Sequence, residues 1–313
     1  FSHRVQKCHG KEEVSSDLMS GIVYNDLLRL SEKVLFEYSR NLCHEITADS
    51  PKVAILREQG STGYMPLAMA CRQAGFMVSD ITTRDIEYGH ETLAMFDGLV
   101  VASGASFGDS PKPGLAWAEV IRRKHPHVFD EFKRFFSRTD AFTLAVGSGC
   151  HLLYHLRDII PGTDHWQPWQ QNSSLQFECR YVNVVIESSS SILFEGMAGS
   201  QLVVSVANGF GRCDSNSSGL VNRDVVMKYV NNHGDVVESY PANPFGSDQG
   251  ICGYTSNSGL VTSLMAHPER CVFSTQETWR VDMSSDLCSP WIKVFENARQ
   301  WVLARHKERP PLS

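Results

Sequence analysis

A pattern of strand, turn and helix stands at residues 141–156, which read AFTLAVGSGCHLLYHL. It is typical of a nucleophile elbow, in which one residue at the tip of a strained turn projects its reactive atom above the sheet. The residues two before and two after the tip must be small, and Ala145 and Gly149 meet that requirement around Gly147. Centring the elbow on Ser148 would place two bulkier residues at the flanks. The predicted tip is therefore Gly147, which has no side chain to react.

A histidine followed by a carboxylate stands after another strand candidate, in LMAHPER at residues 264–270. The proline after His267 keeps the backbone extended, so the alternate residues His267 and Glu269 can point the same way. A histidine backed by a carboxylate is the general-base half of a catalytic triad. A His-x-Glu pair by itself is more often a surface coincidence. It indicates a catalytic site only in combination with the predicted elbow.

A third strand end carries a glycine-containing loop, VVASGASFGD at residues 100–109. Backbone N–H groups around Gly104 are candidates for holding an oxyanion. Loops of glycine and serine more often simply turn the chain. The carboxyl ends of parallel strands meet at one edge of a sheet, so we expect Gly104, Gly147 and His267 in one cleft.

Nine cysteines are scattered along the chain, and none stands in a C-x-x-C pair. This usage favours reduced, intracellular thiols. Three of the cysteines directly precede a histidine, but no second ligand pair stands at the spacing of a zinc site. We therefore predict neither a metal nor a cofactor.

The first half of the chain alternates strand and helix candidates, which predicts a parallel sheet covered by helices. The strand candidates are KVAILREQG (52–60), MVSDITT (77–83), FDGLVVASG (96–104) and the strand that enters the elbow. The helix candidates are MPLAMACRQAGF (65–76), GLAWAEVIRRK (114–124), FDEFKRFF (129–136) and the elbow helix. Any site is expected at the carboxyl ends of the strands.

The second half is rich in strand candidates, which predict added or antiparallel strands. They are FECRYVNVVIE (177–187), QLVVSVANG (201–209), VVMKYV (225–230) and GLVTSLMA (259–266). The segment 289–307 predicts a closing helix with Ser289 as N-cap and Pro290 at the first helical position. Near the start, Leu27, Leu30, Val34 and Tyr38 stand at helical spacing, so residues 1–50 are interpreted as a helical connector.

The composition is that of an ordinary globular chain of 313 residues, of which 42% are apolar. Twenty-nine basic and 35 acidic residues give a formal charge of −6, which argues against direct nucleic-acid binding. No apolar run approaches the length needed to cross a bilayer, so no membrane partner is expected. The chain begins with Phe1 and a polar stretch, which suggests the C-terminal piece of a longer polypeptide.

Together these features resemble a known family. From about residue 51 to 305 the chain is similar to the C-terminal glutaminase domain of phosphoribosylformylglycinamidine synthase, the purine-pathway amidotransferase. The blocks that carry the resemblance are PKVAILREQG (51–60), GDSPKPGLAWA (108–118), LRDIIPG (156–162), MAGSQLVVSVANGFGR (197–212), YPANPFGS (240–247) and HPER (267–270). The resemblance implies an α/β, flavodoxin-like class I glutaminase fold over residues 51–313, with a mostly parallel sheet flanked by helices and additional β-strands.

In that family the domain hydrolyses glutamine with a Cys-His-Glu triad and delivers ammonia to a synthase domain upstream in the same chain. The resemblance therefore implies His267 as the base and Glu269 as its orienting carboxylate. It also makes residues 1–50 the connector from an upstream synthase-like region, which would be the partner of residues 51–313.

The sequence departs from the family at the chemistry itself. The family's elbow, Gly-Val-Cys-Asn-Gly-Cys-Gln, falls on residues 145–151, so Gly147 replaces the nucleophilic cysteine while the second cysteine survives as Cys150. The family's oxyanion loop, Gly-Gly-Phe-Ser-Tyr-Gly-Asp, becomes SGASFGD at residues 103–109, which keeps Gly104 as a remnant. A basic residue of the family is Gln171 here. Several parts of the glutamine site differ at once, which predicts a pseudoenzyme.

A missing nucleophile combined with this resemblance points to the large tegument proteins of gammaherpesviruses, which are similar to purine synthases and serve host interaction. The resemblance then implies an inactive glutaminase-like domain that acts as a scaffold and antagonises host intrinsic defence. It implies host partners, namely components of PML bodies or the host synthase. It also implies location in the virion tegument and in the host nucleus and cytoplasm.

Two alternative interpretations retain enzymatic activity. In the first, Cys150, Ser148 or a captured partner supplies the nucleophile of an active amidotransferase or deamidase. In the second, the chain is a cellular synthase with divergent chemistry, which lacks the same atom. Cys150 lies three residues past the tip, about 4.5 Å along the helix, so we expect it to point into the interface between helix and sheet.

Overall fold

A sheet that combines parallel and antiparallel strands forms the centre of the fold. The structure, a computed structural model, describes residues 33–41, 44–124, 126–214, 222–276 and 286–308. The strands of this sheet are β1 (Lys52–Arg57), β2 (Met77–Thr82), β3 (Gly98–Val101), β4 (Phe142–Val146), β6 (Glu178–Ile186), β7 (Gln201–Asn208), β9 (Val225–Val230), β10 (Ile251–Thr255), β11 (Val261–Leu264) and β12 (Ala266–His267). Two short strands, β5 (Trp169–Gln170) and β8 (Arg212–Cys213), pair separately.

Strands β2, β1, β3, β4 and β11 lie side by side in that order, and each pairs in parallel with its neighbour. β3 and β4 consist entirely of buried residues. Strands covered by helices on both faces read as continuous apolar runs, which is why these strands could be predicted from sequence. The parallel part of the sheet is therefore confirmed.

The remaining strands continue the sheet from β11 in the order β10, β9, β6, β7 and β12, each antiparallel to its neighbour. β12 stands at the end of this series, yet Met265 alone separates it from β11 along the chain. The antiparallel strands must therefore curl round until β12 lies next to the end of β11. This curl brings His267, on β12, back to the carboxyl ends of the parallel strands.

Helices cover the sheet. They are α1 (Tyr64–Gln73), α2 (Thr83–Glu87), α3 (Leu115–Glu119), α4 (Pro126–Phe136), α5 (Ser148–His155) and α6 (Ile292–Glu308). α2 begins with a capping box between Thr82 and Asp85, which satisfies two orphan N–H groups of the first turn. α6 buries Ile292, Phe295 and Val302 against the core, as its spacing predicts. The α/β, class I glutaminase-like fold is thus confirmed.

The connector differs from the prediction. Most of residues 1–50 lie outside the described residues, and the described stretches 33–41 and 44–50 contain no helix. Lys33 instead forms an isolated antiparallel bridge with Gln201, with N···O distances of 2.9 and 3.0 Å between their backbones. The helical prediction is wrong for these stretches, which consist of this bridge, turns and irregular backbone.

Three further elements differ in detail. The closing helix begins at Ile292, three residues after the predicted N-cap; Ser289 instead accepts the Trp291 N–H through its hydroxyl (3.2 Å). The helix predicted over 114–124 is α3 followed by a π-helical turn, Val120–Lys124. β10 has no counterpart among the predicted strands.

Candidate functional site

The elbow lies where β4 ends and α5 begins, and Gly147 stands at its tip with φ 54° and ψ −121°. This backbone conformation is strained for any residue with a side chain. The Gly147 N–H donates to the carbonyl of Leu264 (2.9 Å), so the tip is fastened to β11. A Cβ atom on Gly149 would lie 2.6 Å from the carbonyl oxygen of Val101, which explains why that flanking position must be glycine.

His267 and Glu269 form a hydrogen-bonded pair, with 2.8 Å between Nδ1 and Oε1, and both side chains are fully buried. A carboxylate oxygen accepts a hydrogen bond, so Nδ1 is the donor of this pair, and in the neutral ring Nε2 then presents its lone pair. Among the described residues, Nε2 has no hydrogen-bond partner. The pair therefore has the arrangement of a general base with an orienting carboxylate, and an orphaned buried nitrogen marks its reactive end.

The imidazole lies directly against the elbow tip. A Cβ atom placed on Gly147 in ideal geometry would lie 2.9 Å from Cε1 of His267 and 3.3 Å from Nε2. The same atom would lie 3.0 Å from Cβ of Ser103. The structure thus brings together the predicted tip, the predicted base and the start of the glycine-containing loop.

The loop after β3 is held by backbone hydrogen bonds from the loop after β1. The carbonyl of Ser103 accepts the N–H groups of Thr62 (2.9 Å) and Gly63 (3.0 Å). Gly104 has φ 127°, and a Cβ there would lie 2.4 Å from the Thr62 nitrogen, so this position requires glycine. Further along, Phe107 and Asp109 adopt positive φ angles of 55° and 54° without being glycine. Such strain clusters at functional sites, which agrees with a loop shaped for a site.

Cys150 is fully buried on α5, as predicted from its position after the tip. Its thiol donates to the carbonyl of Leu264 (Sγ···O 3.2 Å), with the carbonyl of Ala145 at 3.5 Å. Burial raises the pKa of Cys150 to about 12. In the folded state the Cys150 thiol is therefore buried, neutral and bonded to carbonyls of the sheet.

Ser148, the other alternative nucleophile, begins α5. Its hydroxyl is buried without a hydrogen-bond partner in the part of the chain that the structure describes. Gln171 is exposed on the loop after β5, where its carbonyl accepts from Nε of Arg212 (3.2 Å). No described contact joins Gln171 to Gly147 or His267.

Arg270 is a site residue that the sequence reasoning missed. Its Nη2 donates to the hydroxyl of Ser103 (3.3 Å), and its Nε lies 3.6 Å from Oε1 of Glu269. It therefore links the loop after β3 to the dyad. The available signal was a cation directly after Glu269 in HPER, but its bond to Ser103 spans 167 positions and needs the folded chain.

Within the described ranges, no three His, Cys, Asp or Glu side chains lie together as ligands for a metal ion. In the same part of the chain, no helix combines the length and apolar character that a membrane span requires.

Comparison with known proteins places this geometry in a family. The profile of the CobB/CobQ-like glutamine amidotransferase domain matches residues 50–302. Among solved structures, PurLQS from Thermotoga maritima is similar with a TM-score of 0.59 and 22% identity, over 82% of this chain and 99% of that one. A putative GMP synthase subunit from Thermoplasma acidophilum aligns with a TM-score of 0.48 and 12% identity, over 84% and 98% of the two chains.

The matched region contains the elbow, the loop after β3 and the His-Glu dyad, and it spans most of the chain. The likeness to PurLQS extends over nearly the whole of that chain and establishes a shared fold. The protein therefore belongs to the family of CobB/CobQ-like glutamine amidotransferase domains.

Proposed function

We propose that this domain has lost glutamine hydrolysis and serves as a glutaminase-like scaffold. The observation that carries the proposal is Gly147 at the elbow tip, facing Nε2 of His267, which no described group bonds. Covalent catalysis of amide hydrolysis needs a nucleophilic atom at the point that the base can reach. Here that point carries no side chain, while the base and its carboxylate, Glu269, are in place.

Cys150 does not supply the missing atom. Burial raises the pKa of Cys150 to about 12, so the thiol is not ionised at neutral pH. The thiol is also engaged by the carbonyls of Leu264 and Ala145, and the Leu264 carbonyl is the one that accepts the Gly147 N–H. An active amidotransferase that uses Cys150 would have to break these contacts and extract the thiol from the sheet interface.

The scaffold role extends the sequence resemblance to gammaherpesvirus tegument proteins. Its partners would be an upstream synthase-like region of the same chain and host proteins, either PML-body components or the host synthase. Its setting would be the virion tegument and the host nucleus and cytoplasm. An uncharged loop with two exposed apolar side chains, Leu175 (73% exposed) and Phe177 (67%), supports a protein-binding role.

The proposal is tested by measuring glutamate release from glutamine by the full chain. We expect the wild type and His267→Ala to give the same background rate, because no nucleophile is present for the base to activate. Release that disappears in His267→Ala would overturn the proposal.

A matched pair of cysteine variants identifies the nucleophile in that event. Cys150→Ser would abolish the release if Cys150 were the nucleophile, whereas Cys179→Ser, which alters an exposed thiol, would leave it unchanged.

A further inference from the structure

The space beside the elbow tip is already filled. A Cβ on Gly147 would approach Cβ of Ser103 to 3.0 Å and Cε1 of His267 to 2.9 Å. Carbon atoms at these separations overlap, so one neighbour must move before any side chain fits at the tip. If Ser103 can move aside, inactivity depends on residue 147 alone. If it cannot, inactivity depends on residues 103 and 147 together.

Ser103 is held on several sides. Its carbonyl is fixed by the two N–H groups from Thr62 and Gly63, and its hydroxyl accepts from Arg270. A Cβ on Gly63 would lie 2.0 Å from the Ser103 hydroxyl oxygen, so the serine side chain fills the gap between Gly63 and Gly147. Ser103 is only 3% exposed.

His267 is held too, but its ring has one adjustable direction. Its Nδ1 is bonded to Glu269 and its backbone pairs with Ser205 on β7. The atom that meets the tip, Cε1, lies at the outer edge of the imidazole, where a small rotation about the side chain moves it by a few tenths of an ångström. Cβ of Ser103, by contrast, moves only with its backbone.

We infer that Ser103 blocks the nucleophile position, so that the loss of chemistry is fixed at residues 103 and 147 together. The inference rests on the proposed function and deepens it, because it states what keeps this site closed. Ser103 acts through the space it fills and touches no reacting atom, so it is a positioning residue. Arg270 supports it by holding its hydroxyl and by lying beside the Glu269 carboxylate.

The experiment compares Gly147→Cys with the double variant Ser103→Gly/Gly147→Cys. The readout is the alkylation rate of residue 147 by iodoacetamide across pH, followed by mass spectrometry of the elbow peptide. The thiolate sulfur displaces iodide, so the rate reports the thiolate fraction and its access. In the double variant the thiol reaches His267, and we expect alkylation to be about tenfold faster near neutral pH, as one unit of thiol pKa gives.

Two controls separate blocking from general loosening. Ser103→Ala/Gly147→Cys keeps the obstructing Cβ and removes the hydroxyl, so its rate should stay at that of Gly147→Cys. Adding His267→Ala to the double variant should return the pH profile to that of an ordinary thiol. A merely structural role of Ser103 would leave the pH profile unchanged.

The outcomes decide the inference in each case. Equal rates in the single and double variants, or equal acceleration by Ser103→Ala, would overturn it. If Gly147→Cys fails to fold while the double variant folds, the inference stands; if neither folds, it fails. Glutamate release by the wild type tests the proposed function separately, so failure of one is distinguishable from failure of the other.

Discussion

At the residue scale, crowding adds to backbone strain at Gly147. The non-glycine Phe107 has a positive φ with a left-handed helical ψ of 29°, whereas Gly147 has a ψ of −121°, a region that favours glycine. The tip is crowded as well, since His267 and Ser103 occupy the volume of a Cβ. A substitution there adds overlap to strain.

We therefore expect Gly147→Ala to destabilise the domain more than Gly196→Ala. Gly196 also has a positive φ (75°), but a Cβ there would meet no described atom within 4 Å. The control should lose about 1–2 kcal/mol from its left-handed backbone, and Gly147→Ala about 1–3 kcal/mol more from overpacking together with its ψ of −121°. Denaturant unfolding of both variants measures the difference, and equal losses would contradict the crowding argument.

At the element scale, α5 carries a second buried histidine that plays no part in the dyad. His151 is 4% exposed, its Nε2 has no partner within the described ranges, and its ring meets Phe210 edge-on. Burial lowers the pKa of His151 to about 3. The elbow helix is thus stabilised by a neutral imidazole that an unfolded chain would protonate more readily.

This histidine predicts acid sensitivity of the elbow helix. Because the folded pKa lies below the unfolded value, the stabilisation is present above about pH 6.5 and is lost as pH falls towards about 3. His151→Gln should flatten the fall in unfolding free energy across that range. Replacing the exposed His90 in the same way should leave the slope unchanged, and identical slopes in the two variants would contradict the prediction.

The predictability of each element follows from its burial. Strands β1, β3 and β4 could be predicted because continuous apolar runs signal burial on both faces. The helical prediction for the connector rests on the spacing of Leu27, Leu30 and Val34, which is that of a helix. The first two of these residues lie outside the described residues. In the described stretch, alternate residues Val34, Phe36 and Tyr38 pack on the core, which is the period of an extended chain.

The residues of the candidate site were also predictable only in part. Motif spacing was enough to bring Gly147, His267 and Glu269 into one hypothesis, because each follows a strand and strand ends meet. The roles of Ser103 and Arg270 were not predictable from sequence. They depend on differences of a few tenths of an ångström in interatomic distances and on a contact between loops that are distant in sequence. Periodicity carries no information on either.

At the scale of the whole molecule, buried thiols and phenols share one electrostatic character. Burial raises the pKa of Cys150 and Cys213 to about 12 and raises those of Cys252, Tyr229 and Tyr254 above their usual values. Each of these groups is neutral in the folded state. The folded core therefore requires these thiols and phenols to stay protonated, whereas in the unfolded chain the same groups ionise at lower pH.

We expect the domain to lose stability in alkali. Because the folded pKa values lie above the unfolded ones, the stabilisation is complete below about pH 9 and is lost as pH rises towards about 12. Unfolding free energies at about pH 8 and about pH 10.5 measure the loss. Cys213→Ala should reduce the slope, whereas Cys179→Ala, at an exposed thiol, should not; a flat profile for the wild type would contradict the prediction.

The position of His267 in the His-Glu dyad is fixed by two constraints, the single-residue link between β11 and β12 and the pairing of β12 with β7. His267 is tied covalently through Met265 to β11, which pairs with the strand that carries the elbow tip, and it is tied again through β7. Because the backbone of His267 is held from two sides, its position does not depend on a side chain at the tip. An intact His-Glu pair is therefore a property of the frame, and among relatives with this fold it cannot by itself separate working glutaminases from chains without the thiol.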